Sequence, residues 1–203
     1  MTYPSLEKYN EAFQNPANCL TDPILKSGSI ATTGLGLPLA LCGGFALTYT
    51  LSLGSSKYAI RCFHKHSNAL EKRYESISRK LLQLNSPYFV KFEFQKEGVR
   101  IQGAKYPIVK MAWAKGTTLG QFLDKNYKDA AVLTKLESSL ISLASYLESN
   151  GIAHGDIQPG NLMVDSSNCS VQLIDYDGIY VDTLKSLGSA ELGHKNFQHP
   201  LRT

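Results

Sequence analysis

The chain has 203 residues, of which 43% are hydrophobic and 19% are charged. These proportions exclude an intrinsically disordered protein and indicate a globular fold of one or two domains. The net charge is +4, and no run of Lys or Arg is longer than two residues, which argues against a nucleic-acid-binding protein. Four scattered cysteines without metal-ligand spacing predict reduced thiols in a cytoplasmic protein.

The sequence predicts neither a signal peptide nor a membrane partner. The N-terminus "MTYPSLEKYNEAF" lacks the basic start and apolar centre of a signal peptide. The most apolar stretch, residues 34–54, is interrupted by several glycines and a proline, which favours strands and turns over a membrane helix.

In chain order, the first elements are strands. Residues 1–33 are polar, contain three prolines and predict an N-terminal lead-in segment with one short helix. Residues 38–63 then predict a hairpin, because "FALTYTLSL" and "KYAIRCF" are rich in strand-forming residues and "GSS" supplies a turn between them. Its glycines, "CGGF", precede the first of these strands.

Helical periodicity follows and alternates with further strands. Residues 67–84 predict a helix, because apolar residues recur at intervals of three and four along them: Leu70, Tyr74, Ile77, Leu81 and Leu84. Strands are expected at "YFVKFEFQ", "VRIQG" and "YPIVKMAWA", with a turn at "KEGVR". A short helix at "LGQFLDKN" precedes a longer one at about residues 130–149, which "NG" ends.

Two short strands, "NLMV" and "VQLID", close the series. Strands dominate the first part of the chain and helices the second, so the sequence predicts an α+β protein with two lobes. Residues 113–116 lack a clear helix or strand pattern, and we expect the boundary between the two lobes there.

The stretch "IAHGDIQPGNLMV" carries the candidate chemistry. His154, Asp156 and Asn161 match the pattern H-x-D-x-x-x-x-N, in which the carboxylate accepts a hydroxyl proton. The amide oxygen of Asn161 and the carboxylate of Asp175, which follows the next strand in "LIDYDG", suit Mg²⁺, an ion that prefers oxygen ligands.

These motifs resemble a bacterial Ser/Thr protein-kinase domain that is shortened at its C-terminus. "HGDIQPGN" resembles the catalytic loop of that family and "DYDG" its metal-binding triplet with one residue inserted. The resemblance implies a bilobal protein-kinase-like fold, with a β-rich N-lobe at residues 34–114 and a helical, truncated C-lobe at residues 115–203. It also implies ATP and Mg as cofactors.

The resemblance assigns nucleotide-binding roles along the first lobe. Gly43, Gly44 and Phe45 correspond to the glycine-rich loop, although Leu41 and Ala46 stand where its first and third glycines belong. Ala59 corresponds to the residue above the adenine, and Arg61 replaces the lysine that grips the phosphates. Either Glu71 or Glu75 is the expected partner of Arg61.

The hinge and the catalytic loop complete the assignment. Met111 corresponds to the gatekeeper, and Ala112 and Ala114 offer backbone groups to adenine. Gln158 replaces the lysine of most Ser/Thr kinases in the catalytic loop, so it brings no charge to the transition state.

Three functions fit these residues. The first is an ATP- and Mg-dependent phosphotransferase that acts on Ser/Thr of protein substrates. The second is a catalytically impaired kinase-like module that binds nucleotide weakly or binds only protein partners, as Arg61 and Gln158 suggest. The third is a small-molecule phosphotransferase of the aminoglycoside or choline kinase type, because these enzymes have a motif similar to "HGD..PGN".

Overall fold

The structure is a computed structural model that describes residues 2–43, 46–65, 69–188 and 193–198. The chain is an α+β protein that divides into two compact units. Unit 1 comprises residues 1–78 and 91–113, and unit 2 comprises residues 79–90 and 114–203. Within the described residues the α-helices are α1 (Leu6–Phe13), α2 (Pro16–Cys19), α3 (Pro23–Lys26), α4 (Leu70–Leu84), α5 (Leu119–Asn126) and α6 (Ala130–Ser149). Two 3₁₀ helices lie at Asp182–Leu187 and Lys195–Phe197.

The strands form two antiparallel sheets. They are β1 (Ser29–Ile30), β2 (Ala40–Cys42), β3 (Ala46–Leu53), β4 (Ser56–Phe63), β5 (Phe92–Ile101), β6 (Ala104–Ala112), β7 (Thr117–Thr118), β8 (Leu162–Val164) and β9 (Val171–Leu173). In unit 1 the strand order is β1-β3-β4-β6-β5, and β2 also pairs with β3. In unit 2 the order is β7-β8-β9. The predicted hairpins β3–β4 and β8–β9 are confirmed.

The predicted turn at "KEGVR" is wrong, because β5 continues through it with a bulge between Gln95 and Val99. Gly98 permits this bulge, since a Cβ there would overlap the side chain of Ile108. The chain reverses instead at Gln102 and Gly103, whose φ angles are 50° and 83°. Two residues with positive φ are what a tight hairpin turn requires.

The N-terminal segment covers one face of the sheet in unit 1. It contains three short helices where the sequence predicted one, and it buries Tyr9, Phe13 and Leu25 against Tyr49 and Ile60 of the sheet. The Tyr9 hydroxyl donates a hydrogen bond to the Phe63 carbonyl (2.9 Å). Burial of these apolar side chains stabilises the unit by several kcal/mol, because each Å² of apolar surface removed from water contributes roughly 25 cal/mol.

Helix α4 buries its predicted apolar stripe. Tyr74 packs against Phe63 and Phe92 of the sheet, with ring centroids 5.0 and 6.1 Å away, and Ile77 is fully buried. The Ser78 hydroxyl donates to the Phe92 carbonyl (3.4 Å) and accepts from the Phe94 N–H (3.0 Å). The helix therefore lies on the sheet face opposite the N-terminal segment.

The helices of unit 2 begin and end where the sequence predicts. Thr118 and Gln121 form a capping box at the start of α5. Asp129 caps α6 by accepting the Val132 N–H (3.0 Å), and Gly151 with φ 62° follows its end. Leu136, Leu143 and Leu147 form the buried stripe of α6.

Among the described residues no helix is long and apolar enough to cross a membrane. The described part of the chain also contains no group of three or more His, Cys, Asp or Glu side chains that could hold a metal ion.

Candidate functional site

The catalytic-loop motif lies entirely in unit 2, between α6 and β8. Backbone hydrogen bonds fix both ends of the loop: Ala153 and Tyr180 exchange two bonds of 3.1 and 2.7 Å, and the Ile174 N–H donates to the Asn161 carbonyl (3.0 Å). The candidate side chains are therefore carried by a backbone that is tied to the segment after β9.

The carboxylate of Asp156 lies at the centre of this loop and accepts three hydrogen bonds. Oδ2 accepts from the side-chain amides of Gln158 (2.7 Å) and Asn161 (2.8 Å). Oδ1 accepts from the backbone N–H of His194 (2.6 Å). A carboxylate offers about four acceptor positions, so Asp156 is held in one orientation and retains capacity for a further proton donor.

The side chain of Gln158 therefore contacts the carboxylate of Asp156. Its amide nitrogen is a neutral donor, so it orients the carboxylate without adding the positive charge of a lysine.

Asn161 and Asp175 carry side-chain oxygen atoms of the type that can ligate a cation. The Asn161 amide nitrogen donates to the backbone carbonyl (3.0 Å) and the carboxylate (2.8 Å) of Asp156, which leaves its amide oxygen as the group that can ligate a cation. Asp175 directly follows Ile174, whose N–H contacts the Asn161 carbonyl, and it is solvent-exposed. Both supply the oxygen ligands that Mg²⁺ prefers.

Asp175 adopts a left-handed backbone conformation, with φ 62°, which is uncommon among non-glycine residues although aspartate tolerates it better than most. Such left-handed geometry costs a non-glycine residue about 1–2 kcal/mol and concentrates at functional sites.

His154 is a buried, neutral side chain that supports the loop. It is 1% exposed, and its Nε2 contacts the Ile174 carbonyl at 3.0 Å, which assigns the proton to Nε2 because a carbonyl can only accept. Burial lowers the pKa of His154, although the Ile174 carbonyl and the charges of Asp175 and Asp156 oppose that shift. His154 therefore positions the segment before Asp175 and does not carry charge.

Glycines allow three backbone segments of unit 2 to touch. Gly155 has φ 83°, and a Cβ on it would overlap the carbonyl oxygen of Gly178. Gly193 has φ 73°, and a Cβ on it would overlap the carbonyl oxygen of Gly155. Gly193 and His194 thus contact the loop at Gly155 and Asp156. The sequence does not reveal this contact, because it depends on backbone groups.

Tyr176 is a second residue whose role the sequence did not reveal. It is fully buried, and its hydroxyl donates to the Leu173 carbonyl (2.8 Å) and accepts from the Val90 N–H (2.8 Å). Burial raises the pKa of this phenol, so the group remains a neutral anchor beside Asp175. Its aromatic type within "DYDG" was the only signal available.

The candidate residues of unit 1 are brought together by strand register. Ala59 lies opposite Thr50 and Met111, and Arg61 lies opposite Thr48 and Val109. Partners across antiparallel strands share a face, and alternate residues of one strand do too. Ala59, Arg61 and Met111 therefore occupy one face of the sheet.

Two charged side chains of unit 1, Lys57 and Glu71, contact aromatic residues. The Lys57 ammonium lies 3.6 Å from the Trp113 ring centroid, so it is engaged in a cation–π contact. Glu71 accepts a hydrogen bond from the Tyr3 hydroxyl (3.3 Å). Burial, and then the Glu71 charge, raise the pKa of Tyr3 to about 12.

The hinge and glycine-loop residues are placed as follows. The Ala112 N–H donates to the Lys91 carbonyl (2.8 Å), and Ala114 begins the second stretch of unit 2. Gly43 is exposed at the end of β2, and its N–H donates to the Ala46 carbonyl (2.9 Å). Gly44 and Phe45 lie outside the described residues.

No protein-family model and no curated protein matches the chain.

Proposed function

We propose that the chain is an ATP- and Mg-dependent phosphotransferase of the protein-kinase type that acts on Ser/Thr hydroxyls of proteins. The observation that carries this proposal is the hydrogen-bonded group of Asp156 and Asn161, linked through Ile174 to Asp175. The same proposal assigns units 1 and 2 to the two lobes of a protein-kinase-like fold.

In this proposal Asp156 accepts the proton of the attacking hydroxyl. The hydroxyl oxygen forms a bond to the γ-phosphorus of ATP, the bond to the ADP oxygen breaks, and the proton passes to the free acceptor position of the carboxylate. Gln158, Asn161 and the His194 N–H hold that carboxylate in place. Bound Mg²⁺ would neutralise phosphate charge, with Asn161 and Asp175 as its protein ligands.

Unit 1 supplies groups that suit a nucleotide on its own sheet face. Ala59 and Met111 offer apolar surface, and Arg61 offers a positive charge that remains ionised at any physiological pH. Arginine binds phosphate well but has the wrong shape for the usual lysine contact, so we expect slow phosphoryl transfer.

The alternative function, a catalytically impaired kinase-like module, is favoured by one observation. Gln158 donates to Asp156, so this part of the loop provides no positive charge for the transferred phosphoryl group.

Transfer of radiolabelled γ-phosphate to the protein itself and to a mixture of Ser/Thr peptides tests the proposal. Asp156→Asn should lower the rate by about 10²–10⁴-fold, the usual contribution of a general base. Asp124→Asn, which removes an exposed carboxylate from α5, is the matched control and should leave the rate unchanged. Transfer that is absent from the wild type, or equal in both variants, would overturn the proposal in favour of the binding module.

A further inference from the structure

A polar cavity lies on unit 1, and its lining includes none of the residues assigned to phosphoryl transfer. Its volume is about 380 Å³, and it is bounded by the turn between α2 and α3 and by the strands β5 and β6. Three cationic side chains and one carboxylate line it: Lys26, Arg100, Lys105 and Glu97. A cavity of this size lies near the lower end of the range for small-molecule sites.

Two of these cations are forced together by strand register. Arg100 and Lys105 are directly opposite each other in the β5–β6 pair. Like charges in that position destabilise a sheet. The two-residue turn at Gln102 and Gly103 fixes the register, so the pair cannot slip apart.

The neighbouring carboxylates neutralise only part of this charge. Glu97 contacts the Lys105 ammonium at 2.5 Å, and its hydrogen bond with Lys105 lowers the pKa of Glu97. Asp22 is engaged elsewhere, by the Lys110 ammonium (2.7 Å) and the Gln95 amide (2.6 Å). Within the described ranges, Arg100 and Lys26 have no carboxylate at ion-pair distance.

Hydrogen bonds hold two segments of the cavity lining together, the N-terminal segment and the bulge of β5. The Thr21 N–H donates to the Gly98 carbonyl (3.0 Å), and the Thr21 hydroxyl donates to the Glu97 carbonyl (2.9 Å). Leu20 forms a bridge with Val99. The cationic side chains therefore surround a cavity whose backbone is already fixed.

We propose that this cavity binds a phosphate dianion, either inorganic or at the end of a small molecule, through Arg100 and Lys26. The arginine fork matches two phosphate oxygens at once, and a lysine adds a point charge. The bound dianion would offset the repulsion between Arg100 and Lys105. The site shares no residue with the proposed phosphotransfer function and is independent of it.

Calorimetric titration of the full chain with pyrophosphate, without divalent metal, tests this site. We expect saturable binding that weakens by about tenfold or more in Arg100→Gln and in Lys26→Gln. Lys96→Gln is the matched control, because Lys96 is an exposed cation of β5 outside the cavity lining, and it should change affinity less than about twofold. Asp175→Asn should also bind normally, which separates this site from the candidate magnesium ligand.

Absence of saturable binding up to about 10 mM would overturn the proposal, and so would equal affinity in all variants. Heat denaturation of each variant shows whether a loss of binding is caused by misfolding. Arg100→Gln should unfold at a higher temperature than the wild type without ligand, because it removes the like-charge contact, and pyrophosphate should raise the unfolding temperature less in Arg100→Gln than in the wild type. A destabilised Arg100→Gln variant would contradict the argument from repulsion.

Two further probes distinguish the sources of the dianion. Orthophosphate and glycerol 3-phosphate carry the same charged group, and both should bind in an Arg100-dependent way. Tighter binding of glycerol 3-phosphate would assign the site to a phosphorylated small molecule, and equal binding would assign it to the inorganic ion. Failure of both to bind would overturn the proposal.

Discussion

The candidate residues of the two units are held in place by different means. In unit 2 the Asp156 carboxylate is fixed by three hydrogen bonds of 2.6–2.8 Å from Gln158, Asn161 and His194. In unit 1 the positions of Ala59 and Arg61 follow from the antiparallel register of β3, β4 and β6.

Both units depart from the kinase pattern that the sequence resembles, but in different surroundings. In unit 1 Arg61, Leu41 and Ala46 stand where that pattern has a lysine and two glycines, and strand register fixes their backbone. In unit 2 Gln158 stands where that pattern has a lysine, and its side chain is tied to Asp156 by a hydrogen bond. A further change in such a loop is costly, because each lost hydrogen bond leaves a partner unsatisfied.

The largest effect on stability is expected from Gly155→Ala. The added methyl group would overlap the Gly178 carbonyl, and φ 83° disfavours alanine, so we expect a loss of about 3 kcal/mol or more. Gly160→Ala is the control from the same loop, because a Cβ there has no neighbour within 4 Å. Urea unfolding of both variants measures the difference, and equal stability would mean that unit 2 is not tightly packed.

Unit 1 also contains a nearly buried ion pair, between Lys110 and Asp22. The side chains of Lys110 and Asp22 are only 11% and 8% exposed and form an ion pair of 2.7 Å. Lys110→Ala should cost about 3 kcal/mol, because it leaves a nearly buried carboxylate without its cation. Lys105→Ala should cost much less than Lys110→Ala, because the pair of Lys105 with Glu97 is exposed to solvent. Similar losses in urea unfolding would contradict this distinction.

Arg61→Lys tests whether unit 1 limits activity. The compact ammonium group restores the usual phosphate contact, and we expect phosphoryl transfer to rise by about tenfold, which is about 1.4 kcal/mol in the barrier. The same substitution at Arg79, an exposed residue of α4, is the control and should have no effect. An unchanged rate in Arg61→Lys would locate the limitation in unit 2.

The smallest effect is expected from the titration of His154. Burial lowers its pKa below the ordinary 6.5, so the unfolded state binds the proton first as the pH falls. The free energy of unfolding should therefore be insensitive to this group above about pH 6.5 and should decrease below it. His154→Gln should flatten that decrease in unfolding measurements at several pH values, and an unchanged slope would contradict the assignment.

Local patterns predicted much of this fold. The apolar stripes predicted α4 and α6, and propensity with turn residues predicted the hairpins β3–β4 and β8–β9. The short helix α5 also lies where "LGQFLDKN" placed it. These elements depend on neighbours within a few residues, so the sequence carries their signal directly.

Contacts between distant residues could not be predicted in the same way. The packing of Tyr9 and Phe13 on the sheet depends on residues about 40 or more positions away, such as Tyr49 and Phe63. The contact between the His194 N–H and Asp156 spans 38 positions and uses a backbone group that every residue type except proline possesses. Nothing in residue type distinguishes such a contact before the chain is folded.

Calorimetric titration with ATP, with and without Mg²⁺, measures whether Asp156, Asn161 and Asp175 belong to a nucleotide site. We expect binding by the wild type that requires Mg²⁺ and is lost in Asp175→Asn. Binding should persist in Asp177→Asn, which removes the neighbouring carboxylate of the same segment. Absence of binding by the folded wild type, or binding that Mg²⁺ and Asp175→Asn do not affect, would contradict the assignment of Asp156, Asn161 and Asp175 to a nucleotide-dependent site.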